Sequence, residues 1–502
     1  EESVLLKDIL KDIRIKKYDT SLDDLDIKDI KISHGEVQDG DLFIALKGTN
    51  IDGNNLIGEA FKNGASVVFS EYRNPDPRII TVENARKAYA IASRNFFGRA
   101  CDKLKIIAIT GTNGKTTIAN TTTDVLRFAG AKVGVIGTLG AKIGDQIIDT
   151  GFTTPDPYML HKLFKEMVEE GCEYAVMEAS AHALCLDKLE GIKFDIGVLT
   201  NITEDHLDFF ENMDNYAQAK YKLFERGKVK LGIVCGDDKM CTPLLLHPQV
   251  PIISYGNCDF CDVKAENVTK SFEGSHFTCN YMGEPIDIKT ELVGDYNILN
   301  ALATIAITRS LGVTKELVRL GMSCISPVEG RFNIIKMDNH NIVIDYAHTP
   351  DGLENILKTA KDLSKNKLVV IFGCGGNRDR QKRPIMGKIA SELADEVILT
   401  SDNPRFEPPY DIIGEILQGA TKRCEIIENR KQAIEYALDH FDHGETIVIA
   451  GKGAEKYQEI KGKKIPYNDF DVVYSYYRKR LREVDRPKPY ISQFQNDEDE
   501  RE

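Results

Sequence analysis

The chain has 502 residues, of which 42% are hydrophobic and 28% are charged, and its formal net charge at pH 7 is −13. These proportions are ordinary for a globular protein, and the length predicts about two to four domains. The negative charge argues against a broad nucleic-acid interface. No apolar run approaches the roughly 20 residues that a membrane span requires, so we expect no membrane insertion.

The cysteines are scattered, and their odd number, 11, does not suggest a disulfide framework. Because the sequence also starts without a signal h-region, we expect reduced thiols and a cytoplasmic location. Cys258 and Cys261 have the spacing of half a zinc site, but no second Cys/His pair lies near them in the sequence. We therefore interpret that spacing as coincidence.

The first hundred residues predict a small α/β unit. Residues 40–46 predict a turn followed by a strand, and residues 60–69 predict a helix end followed by another strand. A helix at about residues 85–97 ends this unit, and residues 98–102 are interpreted as a linker.

The stretch Thr110–Thr117 is the most informative part of the chain. It follows an apolar, strand-like run and precedes a predicted helix. A strand, a glycine-bearing turn and Gly-Lys-Thr at a helix start predict a phosphate cradle, in which backbone N–H groups and the lysine face the anion. Its glycines are Gly111 and Gly114, whereas the first glycine of the usual loop would fall at Ile109. We expect this loop to bind a nucleoside triphosphate.

From about residue 103 onward, predicted strands alternate with helical patterns, which indicates parallel sheets with helices on both faces. The predicted strands are 106–109, 133–137, 174–178, 196–199, 232–235, 342–346, 368–372, 396–400 and 446–450. The last four end at polar or glycine-rich residues, as the ligand-binding edge of a doubly wound sheet requires.

The last residues, 485–502, mix prolines with an acidic cluster and predict a disordered tail. We therefore predict an α/β protein of three domains, residues 1–99, 100–332 and 333–484, followed by this acidic tail.

Two candidate metal-binding segments follow predicted strands. Glu178 ends one strand, and His206 lies in the polar segment 203–208 after another. Adjacent parallel strands would bring both beside Lys115 of the loop, and hard cations such as Mg²⁺ prefer oxygen ligands. Lys220 lies in a helical stretch whose pattern, taken alone, indicates a solvated face.

Three segments after the later strands, residues 373–380, 401–405 and 451–455, combine arginines with a glutamate. An arginine fork binds a carboxylate in a bidentate manner, and an opposing glutamate suits an ammonium group. These segments predict a pocket for a zwitterionic small molecule.

Together these motifs resemble the Mur ligase family of ATP-dependent, amide-forming enzymes that build the peptidoglycan stem peptide. The resemblance covers nearly the whole chain. It is carried by the ordered motifs Thr110–Thr117, Thr153–Pro155, Met177–Leu184, Thr203–Asp208, Gly294–Asn300, Gly330–Phe332 and Asp345–Asp351. It implies a small N-terminal α/β UDP-binding domain, a central P-loop ATPase-type domain with a parallel sheet, and a C-terminal Rossmann-like domain.

The resemblance also implies a reaction. ATP would phosphorylate the terminal carboxylate of UDP-N-acetylmuramoyl-L-alanyl-D-glutamate, and an incoming amine would attack the acyl phosphate and expel phosphate. The segment Asp402–Arg405 has the form typical of members that add meso-diaminopimelate. The implied partners are therefore these two substrates, with ATP and Mg²⁺, and we expect a monomer.

The resemblance assigns site residues by position. The implied catalytic residues are Lys115, Glu178, His206 and Lys220. The implied metal ligands are Thr116, Glu178, His206 and Lys220, the last as a carbamate, N6-carboxylysine. The implied ATP-binding residues are Gly111, Thr112, Asn113, Gly114, Lys115, Thr116, Thr117, Asn297, Asn300, Arg331 and Asp345.

The implied contacts of the UDP-linked substrate are Ser33, Thr153, Thr154, Ser180 and Lys188. The implied amino-acid pocket consists of Arg378, Asp402, Asn403, Pro404, Arg405, Gly451 and Glu455.

Three other functions are compatible with parts of this sequence pattern. Ser33-His34-Gly35 stands where the family usually has Asp-Ser-Arg, so the same fold could use L-lysine or another acceptor, as in the pseudomurein peptide ligases. A folylpolyglutamate synthetase fits less well, because that family generally lacks the first domain and the Asp-Asn-Pro-Arg segment. A non-catalytic nucleotide-binding relative would not need Glu178, His206 and Lys220.

Overall fold

The structure, a computed structural model, describes residues 3–337 and 339–484. It divides into two compact units, one that ends at Ser326 and one that begins at Pro327. The predicted tail, residues 485–502, lies outside the described residues, and the three predicted domain boundaries stay a prediction. Within the described part of the chain, no helix combines the length and the apolarity needed to cross a bilayer.

The N-terminal part of the first unit is built on a five-stranded sheet within the described residues. Its elements are β1 (Val4–Leu5), α1 (Leu6–Ile9), β2 (Ile15–Lys17), β3 (Asp26–Ile27), β4 (Ile30–Lys31), β5 (Leu42–Ile44), α2 (Ile57–Lys62), β6 (Val67–Ser70), β7 (Ile79–Val82) and α3 (Ala85–Phe96). The strand order is β2-β7-β6-β5-β4, with β2 antiparallel to β7 and the other pairs parallel. The predicted helix near residue 85 is confirmed, and the Asn84 side chain caps it by accepting from the Lys87 amide.

The rest of the first unit surrounds a sheet that has eleven strands within the described residues. Its elements are β8 (Lys105–Thr110), α4 (Lys115–Phe128), β9 (Val133–Gly137), β10 (Gly140–Ile143), β11 (Gln146–Ile148), α5 (Pro157–Glu169), β12 (Tyr174–Glu178), α6 (Ala181–Cys185), β13 (Phe194–Leu199), α7 (Leu207–Phe210), α8 (Met213–Tyr221), β14 (Val229–Cys235), α9 (Thr242–Leu246), β15 (Ile252–Tyr255), β16 (Val263–Ser271), β17 (Gly274–Tyr281), β18 (Glu284–Thr290), α10 (Asp295–Ser310) and α11 (Lys315–Cys324). The strand order is β11-β10-β9-β12-β8-β13-β14-β15-β16-β17-β18. The centre is parallel and both edges are antiparallel.

The four central residues of strand β8, Ile106–Ile109, are all apolar, and the packing of the sheet shows why. Ile106 and Ala108 pack into the apolar cluster on one face of the sheet, and Ile107 and Ile109 pack into the cluster on the other face. A parallel strand covered by helices on both faces buries every side chain, so its sequence does not alternate. The predicted parallel sheet with helices on both faces is confirmed.

The second unit contains a six-stranded sheet within the described residues. Its elements are β19 (Asn333–Met337), β20 (His340–Asp345), α12 (Pro350–Leu363), β21 (Leu368–Phe372), α13 (Lys382–Leu393), β22 (Glu396–Leu399), α14 (Pro409–Gly419), β23 (Glu425–Ile426), α15 (Arg430–His440), β24 (Thr446–Ala450), β25 (Tyr457–Ile460), β26 (Lys463–Pro466) and α16 (Asp469–Val484). The order is β19-β20-β24-β21-β22-β23, and β25 and β26 form a separate antiparallel hairpin. The four strands predicted here are confirmed, whereas the hairpin was not predicted.

His161, on α5, is fully buried beside Phe164, and neither of its ring nitrogens has a hydrogen-bond partner among the described residues. Burial, and next the charge of Arg94, lower the pKa of His161 to about 3. The folded state therefore holds a neutral ring at pH values where an unfolded histidine, with a pKa of about 6.5, binds a proton. The free energy of unfolding therefore decreases as the pH falls below about 6.5, the pKa of the unfolded histidine.

We predict that His161→Leu makes the protein less sensitive to acid. Between pH 7 and pH 5 the wild type should lose about 2 kcal/mol more unfolding free energy than the variant, because only its unfolded state takes up this proton. Urea unfolding at both pH values measures the difference, with His247→Leu at an exposed site as the control. Equal losses in wild type and His161→Leu would contradict the prediction.

Candidate functional site

Three adjacent parallel strands end at one edge of the central sheet. Glu178 at the end of β12 pairs with Ile109 of β8, and Leu199 of β13 pairs with Thr110. The segments that follow β8 and β13 therefore start at nearly the same level as Glu178. The sequence-based prediction that these strand ends lie next to the phosphate loop is confirmed.

The two glycines of the loop are required by close packing. Gly114 has φ +91°, and a Cβ atom there would lie 2.5 Å from Oδ1 of Asn300. Gly111 has φ +144°, and a Cβ atom there would lie 1.8 Å from Oγ1 of Thr200. Side chains rarely adopt such backbone angles, so both positions favour glycine. Asn300, which also bonds Asn297 (3.1 Å), thus lies against the loop, and its implied role in holding the nucleotide stays a prediction.

The loop is also fixed by hydrogen bonds. Thr200 Oγ1 donates to the Asn113 carbonyl (2.6 Å), and the Asn113 amide donates to Oδ1 of Asn201 (2.8 Å). Lys115 Nζ donates to the carbonyls of Gly111 (2.7 Å) and Thr112 (3.2 Å). The lysine ammonium is therefore held over the turn at the start of α4, where helix N–H groups attract an anion.

Glu178 is buried and contacts both the loop and strand β9. Its Oε1 accepts from the Thr116 hydroxyl (2.9 Å) and the Thr138 hydroxyl (3.1 Å), and its Oε2 accepts from the Thr138 amide (2.8 Å). A Cβ atom on Gly137 would lie 1.9 Å from Oε2, so the missing side chain makes room for the carboxylate. A carboxylate and a hydroxyl this close are suitable oxygen ligands for Mg²⁺.

Lys220 is buried, so the solvated face that its local pattern indicates is wrong. Its side chain is 1% exposed, and Nζ lies 3.5 Å from the centroid of the Tyr216 ring. Burial, and next the charge of Lys115, hold the pKa of Lys220 well below its usual value. The Tyr216 hydroxyl is 3.1 Å from the Thr112 hydroxyl, which connects the Lys220 environment to the phosphate loop.

His206 lies near the same tyrosine. Its ring centroid is 6.3 Å from that of Tyr216 and 4.9 Å from that of His182, which is edge-on to it. Nε2 of His206 lies 3.4 Å from a carboxylate oxygen of Asp205. Burial lowers the pKa of His206 and outweighs the opposing charge of Asp205. His206 and Lys220 therefore share Tyr216 as a common neighbour.

Within the described residues, no group of three or more His, Cys, Asp or Glu side chains is placed to hold a metal ion. Many Mg²⁺ sites consist of one or two carboxylates together with the phosphates of the substrate, and the pair formed by Glu178 and Thr116 fits such a site. Cys258 and Cys261 belong to no such group, and the cysteines of the chain are unbridged.

A cavity of about 390 Å³ lies between the N-terminal sheet and the segment around Lys188, within the first unit. Ser33 and Lys188 line it, together with His34, Arg86 and Tyr89. Two of the five predicted contacts of the UDP-linked substrate therefore share one cavity.

The other three predicted contacts lie near Glu178. The Thr154 hydroxyl donates to the Glu178 carbonyl (2.8 Å) and accepts from the Ser180 amide (3.0 Å). The Ser180 hydroxyl caps α6, and the Thr153 hydroxyl lies 3.3 Å from that of Thr138. Thr154 thus fixes the backbone that follows β12.

In the second unit, the two predicted nucleotide residues Arg331 and Asp345 are neighbours. The Arg331 guanidinium lies 4.7 Å from the centroid of the Tyr346 ring, next to Asp345 in sequence. Asp345 accepts from the amides of Phe332 (2.7 Å) and Ala347 (2.7 Å). Burial raises the pKa of Asp345, although the Arg331 charge and these two amides oppose the shift.

The predicted amino-acid pocket is assembled around a buried cation that was not assigned from the sequence. Lys452, which is fully buried, donates to Oδ1 of Asn403 (2.9 Å) and to Oε2 of Glu455 (2.7 Å). Asn403 Nδ2 also donates to Glu455 Oε2 (3.2 Å). Two predicted pocket residues are therefore held in place by one ammonium group.

The two predicted arginines meet over a glycine. A Cβ atom on Gly375 would lie 2.9 Å from Nη1 of Arg405 and 3.7 Å from Cγ of Arg378. On the other side of the loop, a Cβ atom on Gly451 would lie 2.6 Å from Oδ2 of Asp402. Pro404 lies between Asp402 and Arg405 in the sequence, and its carbonyl packs against Gly376. The structure brings the predicted pocket residues together at one edge of the sheet.

Arg430, the first residue of α15, bonds the backbone that precedes two of the predicted pocket segments. Its side chain donates to the carbonyls of Ser401 (3.3 Å) and Ala450 (2.9 Å), which immediately precede Asp402 and Gly451. It also forms a fully buried pair with Asp469 through Nε (2.9 Å) and Nη2 (2.9 Å).

Four of these residues were not predicted from the sequence. Lys452 lies in the segment 451–455 and Asn201 lies two residues after the predicted strand 196–199, so the position after a strand is the available signal for both. Tyr216 and Arg430 act through tertiary contacts that no local pattern indicates.

Comparisons with known proteins give a consistent result. A model of the Mur ligase middle domain matches residues 109–308, and a model of the Mur ligase glutamate ligase domain matches residues 330–453. Together these two matches cover more than half of the chain.

Two relatives carry the name UDP-N-acetylmuramoyl-L-alanyl-D-glutamate--2,6-diaminopimelate ligase. The one from Clostridium tetani is 40% identical over 478 residues, covering 93% of this chain and 98% of the relative. The one from Aquifex aeolicus is 41% identical over 450 residues, covering 89% of this chain and 93% of the relative. A solved structure of a ligase with that name matches with a TM-score of 0.70 and 30% identity, over 96% of this chain and 100% of the other.

We predict that Asp469→Asn destabilises the protein by about 3–5 kcal/mol, because it leaves the buried Arg430 guanidinium without its counter-charge. The exposed pair Lys367–Glu396 supplies the matched control, and Glu396→Gln should cost about 0–1 kcal/mol. Urea unfolding followed by circular dichroism measures both. Equal effects of the two substitutions would show that the buried pair does not fix this edge of the sheet.

Proposed function

Because this chain belongs to the Mur ligase family, we propose that it is an ATP-dependent ligase that adds meso-diaminopimelate to UDP-N-acetylmuramoyl-L-alanyl-D-glutamate during peptidoglycan precursor synthesis. The observation that carries the proposal is the 40% identity, over 93% of the chain, to a ligase named for that reaction. Expectations of a monomer and of a cytoplasmic location stay predictions from the sequence.

In the proposed first step, an oxygen of the glutamate carboxylate attacks the γ-phosphorus of ATP, the bond to the bridging oxygen breaks, and ADP leaves. The protein supplies position and positive charge for such a transfer. Lys115 and the amides at the start of α4 would carry that charge, because the ammonium already lies over the turn. Asn297 and Asn300 would hold the nucleotide beside the loop.

In the proposed second step, the neutral amine of diaminopimelate attacks the acyl phosphate carbon. The tetrahedral intermediate expels phosphate, which takes up the proton that the nitrogen loses, and an amide remains. Closure around the reactants would exclude water, which otherwise hydrolyses the acyl phosphate. His206 would lie close to the reacting carboxylate, and its lowered pKa keeps the imidazole neutral near pH 7.

Mg²⁺ would supply charge neutralisation of the phosphates when bound. Thr116 and Glu178 would hold one ion, which the 2.9 Å contact between their oxygens supports. His206 and a modified Lys220 would serve a second ion.

The modification we propose for Lys220 is a carbamate. Its neutral amine attacks the carbon of CO₂, a C–N bond forms as one C=O π bond opens onto oxygen, and the nitrogen loses one proton to solvent, so that a neutral amine becomes an anionic oxygen donor. The lowered pKa of Lys220 favours the neutral amine that this reaction requires. A free ammonium at this position would instead repel a metal ion.

The proposed amino-acid pocket pairs charge with charge. Arg405 and Arg378 would bind the carboxylate of the distal centre of diaminopimelate, and Glu455 would accept from its ammonium group. L-lysine lacks that second carboxylate, so it would leave the arginines unpaired. A lost charged hydrogen bond costs about 1.5–3 kcal/mol, which is enough to favour diaminopimelate.

We predict that purified protein with UDP-N-acetylmuramoyl-L-alanyl-D-glutamate, ATP and Mg²⁺ releases ADP when meso-diaminopimelate is supplied. Coupled detection of ADP measures the rate, and L-lysine in place of diaminopimelate is the matched comparison. No release with either amino acid would contradict the ligase assignment. Release with lysine alone would contradict the assigned specificity.

We predict that Lys220→Ala lowers turnover at least about a hundredfold and that added bicarbonate does not restore it, because the amine that forms the carbamate is gone. The same ADP assay measures this, and Lys222→Ala, at the half-exposed lysine that follows α8, is the control. Full activity of Lys220→Ala would show that the carbamate idea is wrong.

A further inference from the structure

The hairpin β25–β26 contacts the loop that carries Arg405. We infer that Glu459, on β25, is a positioning residue that sets amino-acid selectivity by orienting the Arg405 guanidinium. The inference rests on the proposed function, since it concerns the same pocket. Neither the sequence motifs nor the family resemblance assigns a role to Glu459.

The backbone of Arg405 is held from both sides by this hairpin. Its amide donates to the Glu459 carbonyl (2.9 Å), and its own carbonyl accepts from the Lys461 amide (2.7 Å). Arg405 also has φ +52°, a left-handed conformation that non-glycine residues rarely adopt. Such a conformation persists where surrounding contacts impose it, and here the hairpin supplies those contacts.

The side chain of Arg405 is fixed by two further bonds. Nε donates to Oε2 of Glu459 (3.1 Å), and Nη1 donates to the Gly376 carbonyl (2.8 Å). A guanidinium carries five N–H groups in one plane, so two bonds in different directions fix both its position and its tilt. The Nη1 and Nη2 end is then directed in a single orientation, which a bidentate carboxylate partner requires.

The hairpin holds the rest of the loop in the same way. The Glu459 amide donates to Oδ1 of Asn403 (2.9 Å), and Gln458 Nε2 donates to the Asp402 carbonyl (2.8 Å). Asn403 Oδ1 thus receives both this amide and the buried Lys452 ammonium (2.9 Å). The hairpin and the loop form one connected network, and a change at Glu459 acts on the pocket through Arg405.

Two physical effects of Glu459 oppose one another. As an acceptor it orients the arginine, which favours a ligand carboxylate by reducing the entropy lost on binding. As an anion it weakens the attraction between Arg405 and that carboxylate. A glutamine at 459 keeps the acceptor and removes the charge, whereas an alanine removes both, so the two variants separate the effects.

The test compares Glu459→Ala, Glu459→Gln and Lys463→Ala, an exposed position in the same hairpin. If orientation dominates, Glu459→Ala raises KM for meso-diaminopimelate about tenfold. Glu459→Gln and Lys463→Ala then stay within about twofold of wild type, and KM for ATP does not change. The preference for diaminopimelate over L-lysine falls in Glu459→Ala alone, because lysine offers no second carboxylate. Unchanged or lower KM for diaminopimelate in Glu459→Ala would overturn the inference.

A second measurement separates this inference from the proposed function. If the wild type is active with diaminopimelate and the Glu459 variants have the same KM as the wild type, the role of Glu459 is refuted and the proposed function is not. A crystal structure of Glu459→Ala tests the orientation directly, whichever amino acid the wild type uses. An Arg405 fork displaced from the Gly376 carbonyl supports the inference, and an unmoved fork refutes it.

Discussion

The parallel register of β12, β8 and β13 is the constraint on which the site of the first unit depends. Pairing of Glu178 with Ile109, and of Leu199 with Thr110, brings three strand ends to one level of the sheet. Because side chains alternate along a strand, a slip of one residue in β12 would turn Glu178 to the opposite face. The carboxylate would then lose its contact with the Thr116 hydroxyl, and the phosphate loop would have no carboxylate beside it.

Missing Cβ atoms are the second requirement of this arrangement. Gly111 admits the Thr200 hydroxyl, Gly114 admits the Asn300 amide oxygen, and Gly137 admits a carboxylate oxygen of its strand neighbour. In each case the atom that fills the space is polar, and the Thr200 hydroxyl and the Glu178 carboxylate oxygen also hydrogen-bond backbone groups nearby. The spacing of glycines in this loop therefore reflects what packs against it. A usual loop with glycine at Ile109 would instead lose a side chain that the apolar cluster of β8 needs.

The strands and the phosphate loop could be predicted because their signals are local: continuous apolar runs mark parallel strands, and polar residues follow them. The burial of Lys220 could not be predicted, since it depends on α8 packing beside the loop through Tyr216. Lys452 stands in a glycine-flanked turn that resembles a surface turn, and its burial follows from Asn403 and Glu455 on either side. The hairpin that holds Arg405 has no strong alternation, because its second strand is exposed.

The proposed amino-acid pocket of the second unit is supported by buried charges, and their burial is costly. Burying an ammonium or guanidinium loses hydration, which a partner repays only with good geometry. Lys452 meets that condition with two hydrogen bonds and Arg430 with four, and each bonds a residue of a proposed pocket segment or the residue that precedes one. An apolar core would stabilise the sheet as well, but it would not fix the direction of the Asn403 amide and the Glu455 carboxylate. Amino acids differ in where their charges lie. Buried side chains that fix the pocket residues by hydrogen bonds would therefore discriminate between amino acids more strongly than an apolar core would.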